Sequence, residues 1–141
     1  MIRVVIESPY AGDVKANVAF AQRLCRFACE RGYAPIASHL LYTQFLDDNI
    51  PEERSMGIEA GLAWASFAEE AWFALPDGRL EMSAGMKKAH AAHESQGRRI
   101  RYVVERDGAL EFWAEIQRGG WNKAMAEPRK RIMGGADRGQ D

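Results

Sequence analysis

The sequence predicts one α/β domain, a three-layer sandwich whose central, mostly parallel sheet of four to five strands lies between helices. Three observations predict it. A β-branched run at residues 2–6 (IRVVI) is followed by a long stretch of helical periodicity and then by a second short extended run at 33–38. Two strands joined through a helix of that length are parallel, because a hairpin cannot connect them. The same alternation recurs downstream, and 141 residues suit one domain better than two.

The first strand ends at Glu7 and Ser8, before Pro9 and Tyr10. Asp13 is a plausible N-cap for the helix that follows, and Gly32 is a natural stop. Val14, Val18, Ala21, Cys25 and Ala28 recur at helical spacing and define its expected apolar stripe. Residues 33–38 (YAPIAS) form the second strand, with Pro35 placing it at a strand start or weakening it. Residues 39–49 (HLLYTQFLDDN) lack a clean period and read as an active-site loop or short helix. Pro51, Glu52 and Glu53 suit a helix N-terminus, and that helix runs to about Ser66. Gly57 and Gly61 in it predict close approach of its backbone to the sheet. A third strand is expected at 71–75 and a helix capped by Ser83 ending near Gly97. A fourth strand at 99–105 and a hairpin turn at Asp107 and Gly108 lead to residues 109–113. The domain is expected over 1–120, with 121–141 a basic, glycine-rich, mobile tail.

Composition excludes several function classes. A formal net charge of -1 creates no global field for nucleic acid or membrane. No apolar run reaches transmembrane length, and no leader-like opening is present, so a reducing cytoplasmic location is expected. Cys25 and Cys29, four apart with no second pair, read as small buried thiols on a helix face. His90 and His93 can share a helix face, but the only other histidine is His39, and the spacing is not that of a zinc-protease helix. No metal and no cofactor are expected. The four tryptophans are scattered, which suits core packing or a subunit interface better than a stacking platform.

In an open parallel sheet, ligands bind beyond the carboxyl ends of the strands. That rule selects the segments after each strand: Ser8 to Tyr10, Ser38 and His39, residues 75–83, and the loop after the fourth strand. Tyr10 follows Ser8 and Pro9 at a strand end, so a pocket position competes with simple packing of an amphipathic ring. His39 suits proton transfer near neutral pH, against the alternative of a hydrogen-bonded loop histidine. Asp47 and Asp48 are a catalytic pair or, as adjacent carboxylates usually do, point apart. Arg54 is a phosphate ligand or a surface ion-pair partner of its acidic neighbours.

Three strings carry a family resemblance: ESPYAGD at 7–13 with Asn17, SHLLYTQFLDD at 38–48 with PEER at 51–54 and Gly57, and SAGM at 83–86. Together, over roughly residues 2–105, the chain resembles the nucleoside 2-deoxyribosyltransferase-like proteins, in small phage and bacterial members of the DUF4406/DUF7768 type. The resemblance implies a Rossmann-like (flavodoxin-like) sheet, a nucleoside or nucleotide as ligand, chemistry at its N-glycosidic bond, and a homo-oligomer whose neighbouring subunits complete each pocket. It implies that Ser8 and Tyr10 line sugar and base, and that Asp13 and Asn17 brace the first loop or touch the ligand. His39 and Asp48 would act catalytically from the second-strand side, and Ser83, Gly85 and Met86 would form the phosphate-side helix start. The family's nucleophilic Glu follows that Ser-x-Gly-Met pattern, and here its position holds Ala89. Glu94 is about 140° further round the helix and does not replace it. His90, Glu59 and Glu69 are no better placed. Two readings follow: a hydrolase or transferase working through another group, or a catalytically inactive nucleotide-binding or assembly protein. A third, weaker reading is a phage-encoded factor acting on nucleotide metabolism through a partner protein.

Overall fold

The structure, a computed structural model, describes residues 1–77 and 81–113. In chain order it has β1 (Ile2–Glu7), α1 (Val14–Glu30), β2 (Tyr33–Ile36), α2 (Ser38–Leu41), a 3₁₀ turn at Tyr42–Gln44, α3 (Pro51–Ala65), β3 (Glu70–Leu75), α4 (Ala84–Ser95), β4 (Arg99–Arg106) and β5 (Ala109–Phe112). The strands form one five-stranded sheet in the order β2-β1-β3-β4-β5. All neighbours are parallel except β4 and β5. The expected α/β class and mostly parallel sheet are therefore present. The expected tail at 121–141 lies outside the described residues.

β3 is central and buried along its whole length. Strand alternation divides its side chains between two cores. Trp72 and Ala74 join Val4, Ile6, Val103 and Phe112 under Phe20, Leu24 and Phe27 of α1. Ala71, Phe73 and Leu75 face the other way, with Met82, Met86 and Ala89 around α4. The buried stripe of α1 is Asn17, Phe20, Ala21, Leu24, Phe27 and Ala28. This corrects the expected stripe, of which only Ala21 and Ala28 are buried, while Val14 is exposed. The large side chains Phe20, Leu24 and Phe27 decide which face turns inward, because they bury the most apolar area.

Local chemistry explains the element ends. Asp13 caps α1 by accepting from the Ala16 N–H, and Ser83 caps α4 through the Met86 N–H. Asp107 and Gly108 both have positive φ, 53° and 78°, as a two-residue hairpin turn requires. Pro35 sits in the edge strand β2, where a missing N–H is tolerated. β2 is shorter than expected, because the chain turns at Ala37 and Ser38 already opens α2.

The two helix glycines approach a different partner from the one expected. A Cβ on Gly61 would lie 2.7 Å from the Ser38 Cβ, and one on Gly57 would lie 3.4 Å from the Tyr42 Cβ. They let α3 press on α2 and the 3₁₀ turn, not on the sheet. Cys29 is exposed and Cys25 half-buried, which corrects the expectation that both thiols are buried. Burial, with a smaller contribution from Cys29, pushes the Cys25 thiol up to about 11.

Candidate functional site

The parallel register of β1 and β2 pairs Val5 with Ile36. Three residues beyond that pair on each strand come Ser8 and His39, so the sheet delivers both to its carboxyl edge. Ser8 Oγ and His39 Nε2 are 2.9 Å apart and share a hydrogen bond. The Tyr10 ring meets the His39 imidazole edge to face, with centroids 6.4 Å apart. Asn17 anchors this loop from α1, its amide donating to the carbonyls of Tyr10 at 2.9 Å and Ala11 at 3.0 Å. Ser8, Tyr10, Asn17 and His39 are thus brought together.

Burial lowers the His39 pKa, and the Glu7 carboxylate partly opposes that shift. The imidazole is therefore neutral at neutral pH. Beyond it, the described residues enclose a cavity of about 70 Å³ lined by His39, Tyr42, Asp48, Glu53, Arg54 and Gly57, among others. Asp48 reaches this cavity, with Arg54 at 3.5 Å. Asp47 turns elsewhere: its side chain accepts from the Asn49 N–H, and its own N–H donates to the Glu53 carboxylate. The adjacent carboxylates point apart. Arg54 is the ion-pair partner of Asp48, which matches the plainer of its two readings.

The remaining expected residues stand separately. Asp13 is engaged as the α1 cap. Ser83 and Gly85 open α4, and the Met86 side chain is buried in the core under that helix. The Met86 N–H donates to Ser83 Oγ at 3.2 Å. Among the described residues no hydrogen bond or ring contact links this group to Tyr10 or His39.

Sequence reasoning weighed His90 and His93 as metal ligands and missed the polar cluster they form on the α4 face of the sheet. His90 is buried, with Nε2 2.8 Å from the Tyr102 hydroxyl. His93 is buried beside it; Nε2 lies 3.2 Å from Glu7 Oε1 and Nδ1 lies 2.7 Å from an Arg98 guanidinium nitrogen. The shared helix face of the two histidines was visible in their spacing. Glu7 could also have been found: strand alternation puts it opposite Val4 and Ile6, on the inner face beside Val5. Among the described residues no group of three or more His, Cys, Asp or Glu side chains is arranged to hold a metal. No described helix is long and apolar enough to cross a membrane.

A sequence-family model described as a domain of unknown function, DUF7768, matches residues 2–103. The chain belongs to the DUF7768 family. No curated protein sequence matches this DUF7768 chain. Among solved structures it is similar to a 2-deoxyribosyltransferase from Bacillus psychrosaccharolyticus, with a TM-score of 0.56, 13% identity and 77% of each chain covered. At that identity the likeness concerns the fold, which is the flavodoxin-like α/β arrangement.

Proposed function

We propose that this protein binds a nucleoside or nucleotide at the carboxyl edge of β1 and β2 and acts at its N-glycosidic bond. The observation that carries the reading is the Ser8, Tyr10 and His39 cluster, held at the point where ligands bind in open parallel sheets. The solved structure of similar fold is that of a 2-deoxyribosyltransferase, and the sequence resemblance points the same way. Tyr10 offers an aromatic edge to the base, and Ser8 a hydroxyl to the sugar. His39, neutral and half-buried, accepts a proton from the attacking water or acceptor base. Asp48 assists from across the cavity. Ser83 and Gly85 at the start of α4 take a 5′-phosphate where one is present. No metal or cofactor enters this scheme.

A second copy of the chain is the proposed partner. The apolar residues of α3 are spread around its circumference among charged ones, and it packs chiefly on α2, leaving Ile58, Leu62 and Trp64 exposed and Phe67 beside them 65% exposed. Large apolar side chains exposed together mark an interaction surface. A groove of about 380 Å³ lined by Arg3, Ala34, Ile36, Trp64, Phe67 and Ala68 continues this surface. The His39 cavity is itself smaller than the roughly 300–1,000 Å³ of ligand pockets, which suits completion by a neighbour. A cytoplasmic setting belongs to the same reading.

The rival reading, an inactive binding or assembly protein, rests on Ala89. Incubation with 2′-deoxynucleosides and their 5′-monophosphates, with and without a free acceptor base, separates the two. Released base or exchanged sugar is expected. A thermal shift without turnover would leave the binding protein, and neither would defeat the site.

A further inference from the structure

We propose that Glu7 is the catalytic nucleophile of this chain. The inference rests on the N-glycosidic reading above and names the group that would carry it. Glu7 ends β1, between β2 and β3 in the sheet. The chain leaves β1 into α1 on one face, while α4 covers the other, so Glu7 stands at the topological switch of the sheet. Its side chain keeps 23% exposure, enough for a ligand to reach.

The hydrogen bonds around it fix its state. An arginine N–H can only donate, so the Nδ1 of His93 accepts from Arg98 at 2.7 Å. The ring proton therefore sits on Nε2 and is donated to Glu7 Oε1 at 3.2 Å. Arg98 is itself held by the Ala68 carbonyl at 2.9 Å and by Gln96 Oε1 at 2.7 Å. This chain aims one carboxylate oxygen inward. Oε2 takes no hydrogen bond among the described residues and is left for reaction. The other carboxylates near the site are occupied: Asp13 caps α1, Asp48 pairs with Arg54, and Glu53 accepts from the Asp47 N–H.

In the proposed reaction Glu7 Oε2 attacks the anomeric carbon, forming a carbon–oxygen ester bond as the carbon–nitrogen bond breaks. The electron pair of that bond leaves on the base nitrogen, which takes one proton from solvent. Water then attacks the same carbon and gives one proton to His39, which returns it to solvent. The ester bond breaks and the Glu7 carboxylate is restored. One water is consumed per nucleoside, or an acceptor base N–H replaces it. His93 and Arg98 are positioning residues.

The test uses the full chain and 2′-deoxynucleosides. E7Q should retain the nucleoside-induced thermal shift and lose base release by on the order of a thousandfold or more. Sodium azide added to E7A should restore base release and yield a glycosyl azide, an outcome an unfolded variant cannot give. A 2′-fluoroarabinosyl nucleoside should leave a mass adduct on Glu7 in the wild type and none in E7Q. Turnover by E7Q within tenfold of wild type, or an adduct on Asp48 or Glu94, would overturn the Glu7 assignment while leaving the N-glycosidic reading intact. Nucleoside binding by the wild type without base release would remove both together.

Discussion

On the α1 face of the sheet, Val4, Ile6, Trp72 and Phe112 meet Phe20, Leu24 and Phe27 in an apolar core. Trp72 packs edge to face with Phe27, Tyr33 and Phe112, at centroid distances of 6.0, 4.7 and 4.8 Å. On the α4 face, Phe73 packs instead against two histidines, and a polar chain runs from Arg98 through His93 to Glu7. The first face gains stability from area removed from water. The second gives up apolar packing for groups whose orientation is fixed by hydrogen bonds, and it ends at the carboxyl edge of the sheet. The larger apolar core and the polar supports of Glu7 thus lie on opposite sides of one sheet.

The largest expected effect breaks the first face. Phe20→Ala should cost about 3–5 kcal/mol in urea unfolding, by lost transfer energy and a residual cavity, while turnover per folded molecule changes little. His93→Ala should show the opposite balance. It leaves Arg98 and Glu7 without their shared partner, for about 1–3 kcal/mol of stability, and lowers turnover far more than Phe20→Ala does. Equal activity losses in the two variants would erase the distinction between the faces.

Smaller effects sharpen it. Gly61→Ala forces a Cβ to 2.7 Å from Ser38, so α2 must shift and carry His39 with it. The expected cost is about 1–3 kcal/mol of stability, with a rise in KM for the nucleoside. His39 adds a pH signature. Its folded pKa lies below the ordinary value of 6.5 because burial disfavours the imidazolium. Below pH 6.5 the unfolded chain takes up a proton that the folded chain resists, so this contribution to stability is present above 6.5 and lost as pH falls through the folded pKa. The difference in melting temperature between wild type and His39→Gln should therefore shift against the wild type on acidification, and a pH-independent difference would contradict that. The smallest effect concerns the thiols. Cys29 should react quickly with a thiol reagent in the native protein and Cys25 slowly, since its thiol is held at about 11. Cys29→Ser should remove the fast phase without changing stability.

Much of the fold was legible because its signals are local. The β-branched run of β1, the caps Asp13 and Ser83, Pro51, and the turn at Asp107 and Gly108 each act within a few residues. The contact of Ser8, Tyr10 and His39 could be anticipated from strand ends alone, since parallel strands bring successive carboxyl ends to one edge. What failed depended on tertiary choice. The stripe of α1 was set by Phe20, Leu24 and Phe27, not by the smaller residues whose spacing was equally regular. Gly57 and Gly61 face α2 because α3 lies on it, which no local pattern records. Strand alternation gives the face of Glu7 but not its role: its partner His93, held in turn by Arg98, is more than eighty residues away, and a carboxylate at a strand end reads as solvated until that partner is placed.

The three histidines offer the most direct test of the site at the β1 and β2 edge. Their imidazole nitrogens can be followed by NMR during titration with a 2′-deoxynucleoside. The His39 resonances should move through direct contact and those of His93 through Glu7, while those of His90, paired with Tyr102, stay in place. Saturable binding that moves only His90, or none of the three, would show that the ligand sits elsewhere.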